Sequence, residues 1–189
     1  MIILFGGSFN PPTNAHFQII EKLNNLLNPT KIIVMPVGNR YPKKNLASDQ
    51  NRLEMLQLVS NHFSNVEVSD FEINQPFVGT IRALEHFSNV YNKNICLAIG
   101  ADNFKTIDQW IEANKLIKNY PIIIFNRQNL IDNQMVTDFE AKYQVKLTIV
   151  KFDNNISASK IRSDVDKYRQ FLLPEVYAYI KNNQLYKEE

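Results

Sequence analysis

The chain has 189 residues, 44% of them hydrophobic and 21% charged, with a formal net charge of +2. That length and mix fit one globular domain and argue against a disordered chain, a collagen-like repeat or a coiled coil. The near-balance of charge gives no support for a protein that wraps nucleic acid, and the single cysteine, Cys96, excludes an internal disulfide framework and a cysteine-based zinc site.

Residues 2–5 read as a short buried strand running into Gly6-Gly7. The opening apolar stretch is too short for a signal peptide, and no apolar run approaches the roughly 20 residues that span a bilayer. The expectation is a cytoplasmic protein with no membrane partner. Ile19, Ile20, Leu23 and Leu27 recur at helical spacing, which predicts a helix over 15–27 stopped by Asn28-Pro29. A strand over 31–35 ends at Pro36. Residues 37–47 lack periodicity, carry Gly38, Pro42, Lys43 and Lys44, and read as an exposed loop. Ser48 or Asp49 caps a helix through Leu53, Leu56 and Val59.

A third strand begins at 66–68. The pattern Ile81, Leu84, Phe87 predicts a helix over 80–91. A fourth strand, 95–99, buries Cys96 and ends in Gly100-Ala101-Asp102. A helix over 110–117, strands over 121–125 and 147–150, and a proline-started helix over 174–182 complete the pattern. His62 and His86 fall in helical patterns and read as structural residues. Short apolar strands alternating with helices indicate an α/β fold, a Rossmann-like doubly wound parallel sheet covered on both faces.

In such sheets ligands bind beyond the carboxyl ends of the strands. Three loops are expected there: 6–16, 100–102 and 154–162. The first reads GGSFNPPTNAH from Gly6 to His16. Paired glycines let the backbone approach a ligand, and a helix start offers N–H groups to an anion. His16 sits in the first helical turn. The spacing fits neither a dinucleotide fingerprint nor a P-loop. The late loop reads ISASKIR from Ile156 to Arg162. Ser157 and Ser159 can cap a helix and donate to phosphate, and Arg162 can hold phosphate oxygens with two N–H groups.

These two loops resemble the paired signatures of the nucleotidyltransferase superfamily, a (H/T)-x-x-H loop filled by Thr13 and His16 and an ISSTxIR-type loop filled by residues 156–162. Within it the chain resembles the nicotinate/nicotinamide mononucleotide adenylyltransferases, on PVGNRYPKK from Pro36, RLEM from Arg52, Gly79-Thr80, IGAD from Ile99, Trp110 and Arg127. The resemblance implies a single nucleotidyltransferase domain over 1–189, with residues 153–189 a helical part completing the ATP site. It implies adenylyl transfer from ATP to a pyridine mononucleotide, nicotinate mononucleotide favoured and nicotinamide mononucleotide plausible, with pyrophosphate leaving, in NAD biosynthesis. Thr13 and Asn10 stand where bacterial relatives commonly have His and Asp, and match the nicotinamide enzymes of eukaryotes instead, so the acid-or-amide choice stays open.

The implied catalytic residues are His16, Lys44 and Arg162. ATP binding is implied for Gly7, Ser8, Phe9, Thr13, His16, Gly100, Asp102, Ile156, Ser157, Ser159 and Arg162. Ser8, Phe9, Lys44, Thr80, Trp110 and Arg127 would take the pyridine mononucleotide. Asp102 would accept hydrogen bonds from ribose hydroxyls or cap the next helix. Mg2+ would come with ATP, with no protein metal site. The implied partners are these small molecules, with no nucleic acid, and a homo-oligomer is left open. The alternatives are the same chemistry on another phosphate acceptor, or a nucleotide-binding module without turnover.

Overall fold

The computed structural model describes residues 1–41, 45–73, 76–154 and 156–187. Its six strands form one sheet hydrogen-bonded in the order β3-β2-β1-β4-β5-β6. The strands are β1 (Ile2–Gly7), β2 (Lys31–Pro36), β3 (Val66–Val68), β4 (Ile95–Gly100), β5 (Ile122–Asn126) and β6 (Leu147–Lys151). This is the doubly wound parallel sheet expected from the alternating pattern. The chain divides into two compact units, one of Met1–Gly6 with Val78–Asn155, the other of Gly7–Phe77 with Ile156–Glu189.

In the first unit β1, β4 and β5 are buried nearly throughout, because helices cover both faces of a parallel sheet. The register pairs Phe5 with Ala98, Gly100 with Phe125 and Asn126 with Lys151. The strand order reverses between β1 and β4, and such a reversal opens a ligand crevice at the carboxyl ends. Helices α3 (Thr80–Tyr91), α4 (Ala101–Phe104), α5 (Ala113–Asn119) and α6 (Asn133–Tyr143) belong here. Cys96 is buried in β4, where burial pushes its thiol up.

Two expectations need correction. Trp110 does not open a helix: it ends a 3₁₀ turn (Ile107–Gln109) with extended backbone, and α5 starts only at Ala113. Helix α6 was not foreseen, because only Tyr143 in it is buried and its polar residues give no apolar stripe. Its start is fixed locally, since the Asp132 carboxylate accepts from the Met135 N–H at 2.8 Å.

The second unit holds the parallel pair β2–β3, with Val34 opposite Val68, and helices α1 (Asn14–Leu27), α2 (Asp49–Ser60), α7 (Ala158–Ser163) and α8 (Pro174–Asn182). Ile19, Ile20 and Leu23 form the buried face of α1, and Asn28 ends it in a left-handed conformation at φ 44°. Ser48 caps α2 by accepting from Asn51 N–H. His62 lies in the turn just after α2, where it bonds Glu175 and packs edge-on against Phe17. The 37–47 loop is not wholly exposed: Gly38 is buried, and a Cβ there would stand 2.1 Å from the Glu72 carbonyl oxygen.

Candidate active site

The second unit carries the loop that joins β1 to α1. At Gly7 a Cβ would stand 3.2 Å from the Phe9 ring, so this glycine makes room for the ring beneath the turn. Phe9 takes a left-handed backbone at φ 44°, which drives its side chain into the core at 1% exposure. Its ring lies 4.9 Å from the His16 ring, centroid to centroid. Thr13 is the N-cap of α1 and is buried. Its backbone N–H donates to His16 Nδ1 at 2.9 Å, and its hydroxyl lies 3.0 Å from the same nitrogen. An amide that donates to Nδ1 makes that nitrogen an acceptor, so the ring proton is on Nε2. The structure thus selects the Nε2–H tautomer of His16, with the Thr13 hydroxyl beside the same ring nitrogen.

Asn10 is 1% exposed and bonds in four directions. Its Nδ2 donates to Asn45 O at 2.8 Å, and its Oδ1 accepts from Ala47 N–H at 3.0 Å and the Tyr186 hydroxyl at 2.7 Å. Its main-chain carbonyl accepts from Arg162 Nη1 at 2.7 Å. Arg162 lies on α7, which Ser157 caps by accepting from Lys160 N–H. Ser157 and Ser159 hydroxyls are 3.1 Å apart, Ser159 is exposed, and Ile156 before them is buried. Within the second unit the Arg162 guanidinium thus bonds the late loop to the early one.

Arg52 on α2 completes this arrangement. It is fully buried, and its guanidinium donates to Ala47 O, Ser8 O, Asn39 Oδ1 and Asp49 Oδ1. Burial pulls its pKa down and the Asp49 carboxylate pushes back. A buried cation needs such a partner and filled donors, and this one fixes the Ser8 carbonyl.

The first unit carries the remaining residues. Gly100 ends β4, and a Cβ there would meet nothing within 4 Å, so packing does not demand this glycine. Asp102 is exposed in the first turn of α4, whose N-cap is Gly100, so Asp102 does not cap that helix. It pairs instead with Arg127, just after β5. Gly79 has φ +96° and is packed against Ile111, where a Cβ would stand 2.8 Å from the Ile111 side chain. This contact puts the residue before Thr80 against the residue after Trp110. Trp110 and Thr80 are half-exposed, and Val78 and Ile111 are exposed apolar neighbours.

Lys44 lies outside the described residues. Among the described residues, no group of three or more His, Cys, Asp or Glu side chains could hold a metal ion, and no helix is long and apolar enough to cross a membrane. Sequence reasoning missed Asn10, Arg52 and Tyr186. Asn10 stood out there only as a departure and Arg52 only as part of a motif. Nothing in the local pattern around Tyr186 links it to a loop 176 positions earlier.

The model of the cytidylyltransferase-like family matches residues 4–164. A probable nicotinate-nucleotide adenylyltransferase of Acholeplasma laidlawii is 36% identical over 190 residues, covering 100% of this chain and 98% of that protein. One of Helicobacter pylori is 33% identical, covering 87% and 92%. In fold, the chain is similar to the nicotinic acid mononucleotide adenylyltransferase of Plasmodium falciparum complexed with NaAD, with a TM-score of 0.84 at 24% identity and coverage of 98% and 96%. The chain belongs to the cytidylyltransferase-like family, among the nicotinate-nucleotide adenylyltransferases.

Proposed function

We propose that this protein transfers the adenylyl group of ATP to nicotinate mononucleotide, forming the dinucleotide and releasing pyrophosphate, as a cytoplasmic enzyme of NAD biosynthesis. A 5′-phosphate oxygen of the mononucleotide attacks the α-phosphorus of ATP as the bond to the pyrophosphate oxygen breaks. Such a step is governed by positioning and by stabilisation of phosphoryl charge. The observation that carries the reading is His16, whose Nδ1 is held by the Thr13 amide so that Nε2–H is its donor. That donor contacts phosphate oxygens. Thr13 acts by orienting the ring.

Arg162, Ser159 and the Ser157 cap take the trailing phosphates. One guanidinium nitrogen of Arg162, Nη1, bonds Asn10, and a guanidinium carries five N–H donors in all, enough to bind phosphate as well. The main chain of Gly7, Ser8, Phe9 and Ile156 contributes the remaining contacts on this side, since the Phe9 side chain is buried. Lys44 adds charge toward the mononucleotide phosphate. Gly100 lets the nucleotide approach closely, and Asp102 accepts from ribose hydroxyls when its Arg127 partner turns toward phosphate. Thr80, Trp110 and the apolar surface of Val78 and Ile111 suit a flat pyridine ring. Mg2+ accompanies ATP, bound by phosphate oxygens and water, and neutralises phosphate charge there. The exposed Asp102 carboxylate and the Ser157 and Ser159 hydroxyls are groups that suit a hydrated Mg2+–nucleotide complex.

The test is pyrophosphate release from Mg-ATP with nicotinate and nicotinamide mononucleotides side by side. Preference for the acid is expected, and release with neither overturns the reading. His16→Ala should lower kcat by about 10²–10³, the loss typical of one donor to developing charge, while the fold survives. Near-normal turnover in the folded variant removes His16 from the mechanism.

A further inference from the structure

Tyr186 follows α8 and stands in a left-handed backbone conformation at φ 58°. Burial pushes its phenol pKa up, so the hydroxyl stays a donor, and it donates to Asn10 Oδ1 at 2.7 Å. A carbonyl oxygen has two lone pairs. On Asn10 Oδ1 one is used by Ala47 N–H and the other by Tyr186, while Nδ2 is held by Asn45 O. The amide plane is therefore fixed on both edges. The main-chain carbonyl of the same buried residue is the acceptor that holds Arg162.

We infer that Tyr186 is a positioning residue for the reaction: acting through Asn10, it sets the direction from which Arg162 meets the ATP phosphates. The inference rests on the reading of Arg162 as a phosphate-binding group. Without the hydroxyl, one buried lone pair of Asn10 Oδ1 is unsatisfied, and the residue keeps only the Ala47 and Asn45 bonds on its side chain. The buried residue whose main-chain carbonyl holds the guanidinium is then less tightly fixed. The penalty falls on steps that use Arg162 and leaves the pyridine side alone.

The experiment is a double-mutant cycle on the full chain, using Y186F and R162A with ATP and nicotinate mononucleotide and thermal unfolding as the control. Y186F should lower kcat/KM for ATP about tenfold and change KM for the mononucleotide less than twofold. Added to R162A, it should change kcat/KM for ATP less than twofold, because the group it positions is gone. Equal losses in both backgrounds, no loss in Y186F, or matched rises in both KM values would overturn the inference while leaving Arg162 in place. Wild-type kinetics in R162A alone would instead remove Arg162 as a phosphate group, and the inference with it. If Y186F does not fold, Asn10→Ala removes the same bond from the acceptor side. It must reproduce the loss confined to ATP and be non-additive with R162A, and an additive loss overturns the inference.

Discussion

Glu72 lies in the turn after β3 at 7% exposure, and among the described residues its Oε2 has no hydrogen-bond partner. Burial pushes its carboxyl up to about 7. The folded pKa is raised, so the protonated form is the one the fold prefers. Its stabilising contribution is fully present below about 4.5 and is lost as the pH rises through about 7. Glu72→Gln keeps the shape and removes the charge. The variant should match the wild type near pH 4.5 and exceed it at pH 8, by at most about 3 kcal/mol from the size of the shift. Denaturant unfolding at the two pH values measures this, and equal stabilities at pH 8 would place the carboxylate in a polar setting. At this scale the sequence was uneven. That Thr13 and His16 belong to one motif was legible, but the bond from the Thr13 amide to the His16 ring was not. The proton on Nε2 was not, since it depends on where one amide points. Arg52 stands in the sequence only as part of a motif, and its burial follows from four acceptors, on Ser8, Asn39, Ala47 and Asp49, that the fold brings around it.

Strands β1, β2, β4 and β5 could be read because burial on both faces of the sheet leaves unbroken apolar runs, and most helices because their ends carry local signals such as Ser48 and Asn28. The errors came where an element has little to bury. Helix α6 lies mostly in solvent, and the stretch from Asp102 to Glu112 folds as short turns with Glu112 left-handed at φ 52°. Gly38 shows the reverse case, a glycine in an apparent loop that is set by contact with a distant turn. Gly38→Ala forces a Cβ onto the main-chain oxygen of Glu72, and backbone cannot swing aside as a side-chain tip can. A loss of at least about 1–3 kcal/mol is expected, the usual cost of overpacking. The urea midpoint reports it, and an unchanged midpoint would mean the 37–41 loop moves freely.

Each compact unit is assembled from two separate stretches of chain, so neither is a continuous segment that a single truncation could isolate. Stability and ligand binding are therefore properties to measure on the whole chain. ATP that binds only the folded state should raise stability by about 2.7 kcal/mol at a hundred times its Kd. A thermal shift series with Mg-ATP reads this directly, and a melting point indifferent to ATP would contradict nucleotide binding. The fold class was legible at this scale from the alternation of strands and helices. The bonds that join Asn10 to Arg162 and Tyr186 were not, because no periodicity records contacts across 152 and 176 positions.

Those same separations give Asn10 a history. At a synthesis rate of about 5–20 residues per second, Tyr186, the second partner of its Oδ1, is made roughly 10–35 s after Asn10 itself. Through that interval the loop exists without its clasp. The bond between Asn10 and Tyr186 can form only once the segment bearing Tyr186 has emerged.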